Sequence, residues 1–339
     1  MLFRNIFIIF NDWPDYRKRW IAMKNTYLWT LWILLIVFSA ASLFIGVKDI
    51  SPLDLFHLTA EQKQVLWISR LPRLISIIIA GTSMSIIGLI MQQLTRNKFV
   101  SPTTAGTMDS ARFGILVALM VFGNAAPLVK MLVAFVFALL GTMIFMRILD
   151  KVKYKDAIFI PLVGLMFGNI VSSVTTFFAY KNDLIQNMSS WLQGDFSMIL
   201  KGRYEMLYIS IPLLIIAYLF ANRFTIAGSG GRVRGEPWGL TIRPSSTSDW
   251  SAISSVVILT VGMIPFLGLV VPNIVTMYLG DHLKKSLLHT ALLGAVFVLF
   301  CDILGRVIIF PYEISIGVTV GVIGSAIFIF LLLRRRAYT

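Results

Sequence analysis

Asp109 and Arg112 are ionisable residues inside a candidate membrane segment, three apart and so on one face of a helix, where they could pair. Ionisable residues inside a membrane segment are costly, and function is the default reason for them. A second feature is Arg70-Leu71-Pro72-Arg73. Its guanidinium forks suit the carboxylates of an acidic partner, although arginines near lipid also snorkel to headgroups. A third is neutral. Asn169, Ser172, Ser173, Thr175 and Thr176 form a polar stripe at helical spacing, which can glue helices together or line a path for a polar solute. Gln92 follows Gly81, Ser85 and Gly88, a series of small residues suited to close helix contact.

The patterns of covalent and metal chemistry are missing. His57, His282 and His289 are scattered and lack metal spacing. Cys301, the one cysteine, excludes a disulfide framework and reads as a buried, inert thiol. Gly228 to Gly235 is glycine-rich but lacks the Lys-Ser/Thr of a phosphate-binding loop. No Ser/His/Asp order stands out, so an intramembrane hydrolase is the residual enzymatic reading. No cofactor is expected.

The elements that must position these residues follow from composition. The 339 residues are 57% hydrophobic and 14% charged, with a mean hydropathy of +0.82. A soluble domain carries about 25% charge. Apolar runs approaching about 20 residues read as membrane helices. Clear runs are Tyr27 to Val47, Leu74 to Leu94, Leu128 to Leu149, Ile158 to Tyr180, Tyr204 to Phe220, Ile253 to Leu267, His289 to Ile309 and Ile316 to Leu333. Thr103 to Phe122 and Val270 to Leu279 are weaker. An all-α protein of about ten transmembrane helices follows. Residues 1–26 form a cytoplasmic or interfacial segment, 27–333 the membrane domain, 222–250 a cytoplasmic loop and 334–339 a basic tail. The first run is too long for a cleavable signal and follows a charged stretch.

The net charge of +14 fixes orientation. With both termini cytoplasmic, the inner segments hold twenty of the thirty basic residues and seven of the sixteen acidic ones, a net of +13. That is the positive-inside pattern, and it accounts for the basic excess without nucleic acid. Arg70, Arg73 and Arg306 then fall on the opposite, outer side. Pro72 reads as lying in the first turn of a helix that begins there.

Further segments extend the set. Ala80-Gly81, Gly88, Met91-Gln92, Arg96-Asn97, Ser101-Pro102 and Gly106 follow the arginine motif. Later come Pro265-Phe-Leu-Gly-Leu-Val-Val-Pro272-Asn, Gly280-Asp281-His282, Asp302-Ile-Leu-Gly-Arg306 and Glu313-Ile-Ser-Ile-Gly317-Val. In order and spacing, from about Leu66 to the C-terminus, the chain resembles the permease subunits of iron-siderophore and cobalamin ABC importers. The resemblance implies a type II importer permease fold and a second permease subunit around one pathway. It also implies two cytoplasmic ATPases, where any ATP hydrolysis would reside, and an extracytoplasmic binding protein. Arg70, Arg73 and Arg306 match the family's docking arginines. Asp109, Arg112, Asn169, Ser173, Thr176 and Gln92 become candidates for the pathway. Asp109-Ser-Ala-Arg112, where the family usually has Asn-Gly-Ala-Gly, looks like the subgroup handling catecholate siderophores. Expected is a multi-pass permease of the bacterial cell membrane importing a ferric siderophore. Cobalamin or haem import within the family, and an ion-coupled secondary transporter outside it, are the alternatives. A secondary transporter should carry internal repeats, and none is convincing.

One stretch departs from the family. The loop contacting the ATPase should read roughly Gly-Glu-x-x-Ala-x-x-Leu-Gly, but residues 227–250 read AGSGGRVRGEPWGLTIRPSSTSDW. Gly235, Glu236, Pro237, Trp238 and Gly239 occupy the motif's place. Synonymous codons exist for Glu236 to Gly239 that read, one base later, as Asn-Leu-Gly. The same shift allows Gly-Glu-Glu-Phe-Ala-Glu from Gly230 to Gly235. A local frameshift and a divergent loop therefore both stand, and the nucleotide sequence decides between them.

Overall fold

The computed structural model describes residues 13–46, 59–95, 97–101, 106–151, 159–192, 264–280 and 283–336, with 211, 212 and 215. These residues are helical, with turns between, and no strand occurs among them. The helices are α1 (Trp13–Phe44), α2 (Ala60–Val65), a π-helical turn (Leu66–Arg70), α3 (Leu71–Thr95), α4 (Thr107–Val121), α5 (Pro127–Lys151), α6 (Phe159–Lys181), α7 (Ile185–Leu192), α8 (Leu267–Leu279), α9 (Leu283–Val307) and α10 (Ile316–Arg336). Eight of the ten expected membrane segments coincide with them. The runs Tyr204 to Phe220 and Ile253 to Leu267 fall almost wholly outside the described residues, as does the loop at 222–250. Among the described residues, five helical stretches are long and apolar enough to cross a membrane: Thr26–Phe44, Ala60–Gln93, Pro127–Phe145, Leu162–Lys181 and Ser286–Val307.

Three elements differ from the sequence reading. α1 starts at Trp13, so the basic segment before Tyr27 continues the helix. Pro72 lies in the first turn of α3, but α3 continues earlier helix without a break in the chain. Helix runs from Ala60, opened by a capping box in which Thr59 and Gln62 bond each other's backbone N–H. The π-helical turn then precedes the proline. Proline lacks an N–H and crowds the preceding turn, and a locally wider turn accommodates it. α7 is an unexpected short helix, held by buried Met188 and half-buried Trp191.

α3 is the central helix. Ile77, Ala80, Met84, Ile87, Leu89 and Ile90 are fully covered. Its small residues make this possible. A methyl on Gly81 would strike the backbone of Gly294 and Ala295 in α9, and one on Gly88 the backbone of Gly268 in α8. Lipid offers no hydrophobic drive for helices to associate, so close backbone approach takes its place. α4, α5 and α6 form a second group. Gly114 meets Ala134 and Phe137, Ser110 lies against Gly141, and the Thr107 and Thr142 hydroxyls bond at 2.8 Å.

Candidate functional site

Two places gather the residues singled out above. The first is the end of the molecule where α1 stops. A helix leaves its last carbonyls without intrahelical donors. Here Ser42, Leu43, Phe44 and Ile45 present four successive carbonyls. Arg70 Nη1 donates to Leu43 at 2.6 Å and Phe44 at 3.1 Å. Arg306 Nη1 donates to Ser42 at 3.0 Å and Ile45 at 2.9 Å, while its Nη2 donates to Ser42 Oγ at 2.6 Å. Both side chains are buried. The positive guanidiniums also complement the negative end of the helix dipole.

Arg73 joins this clasp from α3. Its Nε and Nη2 donate to Asp302 Oδ1 at 3.2 and 2.8 Å, and its Nη1 to Glu313 Oε2 at 2.7 Å. Asp302 also accepts from Arg306 Nη2 on the next turn of α9. The sequence placed all three arginines on the outer side as docking residues. Arg70 and Arg306 are instead drawn inward by the carbonyls of α1, and Arg73 alone holds a carboxylate near the surface. Asp302 was missed as a site residue. Its signal was available: an acid four residues before an arginine in an apolar run.

The second place is the face shared by α4 and α6. Three contacts set their register. Gly106 faces Phe167, the Asp109 carboxylate lies against Gly168, and Met120 Sδ meets Asn182 Nδ2 at 4.0 Å. The offset stays near sixty residues throughout, so the helices run parallel, and Arg112 is level with Ser172 and Ser173. Gly106 has φ +68°, and Phe167 occupies the space of a side chain there, so glycine is required twice over. Asp109 and Arg112 were expected to pair. The Asp109 carboxylate turns to the gap at Gly168, and Arg112 Nε is buried without a hydrogen-bond partner. No salt bridge forms between them. On α6, Gly164, Gly168, Thr175 and Ala179 are buried, while Asn169, Ser173 and Thr176 are exposed on the chain's own surface. Ser173 Oγ satisfies itself on Asn169 O at 2.8 Å.

Gln92 is not on that face. Its amide is buried and donates to Gly268 O at 3.3 Å and Leu269 O at 3.4 Å. Pro272 lies within α8 and lacks the N–H that would bond Gly268 O. Gln92 replaces that donor, a role in packing. Asn273 Nδ2 supports the same turn through Leu269 O and Lys98 O, both at 2.8 Å. Gly235 to Gly239 lie outside the described residues. Among the described residues no group of His, Cys, Asp and Glu could hold a metal ion.

Long apolar helices packed through glycine, with a polar stripe on one uncovered face, define a multi-pass membrane protein. The chain belongs to the FecCD transport family, whose model matches residues 34–334. It is 66% identical over 311 residues to the petrobactin import system permease protein YclN of Bacillus subtilis, covering 91% of this chain and 98% of that protein. It is 36% identical over 302 residues to the ferric-anguibactin transport system permease protein FatD of Vibrio anguillarum, covering 87% and 95%. A solved inward-facing structure of a metal-chelate type ABC transporter shares the fold, with a TM-score of 0.76 at 21% identity, covering 91% of this chain and 99% of the other.

Proposed function

We propose that the chain is the membrane-spanning permease subunit of an ATP-driven importer that moves a ferric siderophore delivered by a binding protein. The observation that carries this is the 66% identity to a petrobactin import permease along nearly the whole of both chains. Petrobactin is therefore the first substrate to test, and the Asp109-Ser-Ala-Arg112 variant supports a catecholate-type chelate. The chain performs no chemistry of its own. It works with a second permease subunit, two cytoplasmic ATPases and an extracytoplasmic binding protein, with both termini cytoplasmic. The binding protein docks at the clasp end through Arg73, while Arg70 and Arg306 hold α1. The pathway runs along Asp109, Arg112, Asn169, Ser173 and Thr176. The exposed Asn169 amide is disfavoured against lipid, which supports a solute or a partner subunit on that face. Residues 222–250 couple to the ATPase, and ATP shifts the population between outward and inward access.

The test is radiolabelled iron uptake in a strain lacking the gene, complemented with this chain and given a panel of ferric siderophores. Complementation should restore ferric petrobactin uptake. That uptake should survive collapse of the proton gradient and stop on ATP depletion. Uptake that follows the gradient would place the protein in a different transporter class.

A further inference from the structure

Glu313 stands out in the sequence without a role, and the clasp gives it one. Its carboxylate takes Arg73 Nη1, and its side chain is 28% exposed, against 12% for Arg73. Asp302, the other acid on Arg73, is 2% exposed and is gripped from its far side by Arg306. Asp302 therefore cannot let go without leaving the buried Arg306 cation with no carboxylate. Glu313 is free to do so. Beside it, Ile308, Ile309, Phe310 and Tyr312 are exposed in the turn that joins α9 to α10. An apolar rim next to a charged fork is a surface that a protein covers and a small anion does not.

We propose that Glu313 is an internal stand-in for an acidic side chain of the binding protein, displaced from Arg73 when that protein docks. This rests on the docking reading above. The incoming carboxylate takes the hydrogen bond from Arg73 Nη1, and the Glu313 carboxylate passes to water. One carboxylate replaces another, so the charge on Arg73 stays compensated throughout. Between docking events Glu313 keeps the fork paired and oriented. During docking it competes with the partner, which keeps the complex reversible.

The test measures affinity of the binding protein for the permease–ATPase complex in nanodiscs, at fixed ionic strength. Glu313→Gln should tighten binding by about three- to tenfold, since a competitor is removed. Arg73→Gln should weaken it by about tenfold or more. In the Arg73→Gln background, Glu313→Gln should change nothing, because the two effects share one contact. If Arg73→Gln does not fold, Arg73→Lys keeps the charge, loses the fork and serves in its place. Unchanged or weaker binding in Glu313→Gln overturns the exchange. So does tightening that persists without the Arg73 fork, which reports only added positive charge. No binding by the wild-type complex overturns the docking reading, and the exchange with it.

Discussion

At Gly168 the space for a methyl group is taken by the Asp109 carboxylate. Gly168→Ala should therefore push that acid out of its place, with an overpacking cost of about 1–3 kcal/mol in thermal unfolding of the purified protein. Asp109→Ala should remove most of the cost when the two changes are combined, because the contact is shared. Equal losses in Gly168→Ala with and without Asp109 would show that the methyl strikes something else. The spacing of Asp109 and Arg112 made a pair plausible from sequence. Spacing on one helix cannot report a glycine on another, and that glycine decides where the carboxylate goes. Arg306 gives the same lesson. Its neighbour Asp302 is readable four residues earlier, but its carbonyl partners at Ser42 and Ile45 are 264 and 261 residues away.

The interior prolines show how one element mends another. Pro272 leaves Gly268 O without its helical donor, and Gln92 on α3 supplies one. Gln92→Leu should cost about 1 kcal/mol of stability, since the buried carbonyl then has no such donor. Adding Pro272→Ala should restore most of that loss by returning the N–H. Thermal unfolding of the single and double variants in detergent checks this; a double variant no more stable than Gln92→Leu would mean the amide serves elsewhere. The existence of the membrane helices was legible from apolar run length alone. Small residues at Gly81 and Gly88 also pointed to packing, and they meet α9 and α8 backbone. The helix start at Ala60 was not legible. The stretch from Ala60 to Val65 is polar, and its capping box precedes a polar first turn instead of an apolar run. α7 was missed for a related reason, being too short for a membrane-length window to register.

Among the described residues, α6 leaves Asn169, Ser173 and Thr176 exposed between uncovered apolar side chains such as Met166, Ile170 and Phe177. A serine-to-cysteine change at Ser173, with the buried Cys301 replaced by alanine, should make the protein reactive to a membrane-impermeant thiol reagent in the assembled importer. Reactivity should change by about threefold or more between nucleotide-free and ATP-bound states, as the access side switches. Labelling by lipid-soluble reagents alone would place the stripe against the bilayer. Helical spacing grouped Thr175 with Asn169, Ser173 and Thr176, but Thr175 is buried and bonds Val171 O; which members stay open was not legible, because α4 covers one flank through Gly168.

The unbroken helix from Ala60 also acts as a ruler. At 1.5 Å per residue, its 34 residues to Gln93 measure about 51 Å, against a hydrocarbon layer of about 30 Å. Ordinary tilts do not absorb a difference of about 20 Å. With Leu71 to Gln93 filling the layer, the first eleven residues stand clear of it by about 16 Å. Arg70 and Arg73 then sit at the waterline, on a rigid mast whose foot is the Gln92 contact with α8. A partner that pulls on Arg73 is thereby working on one end of a bar that spans the membrane.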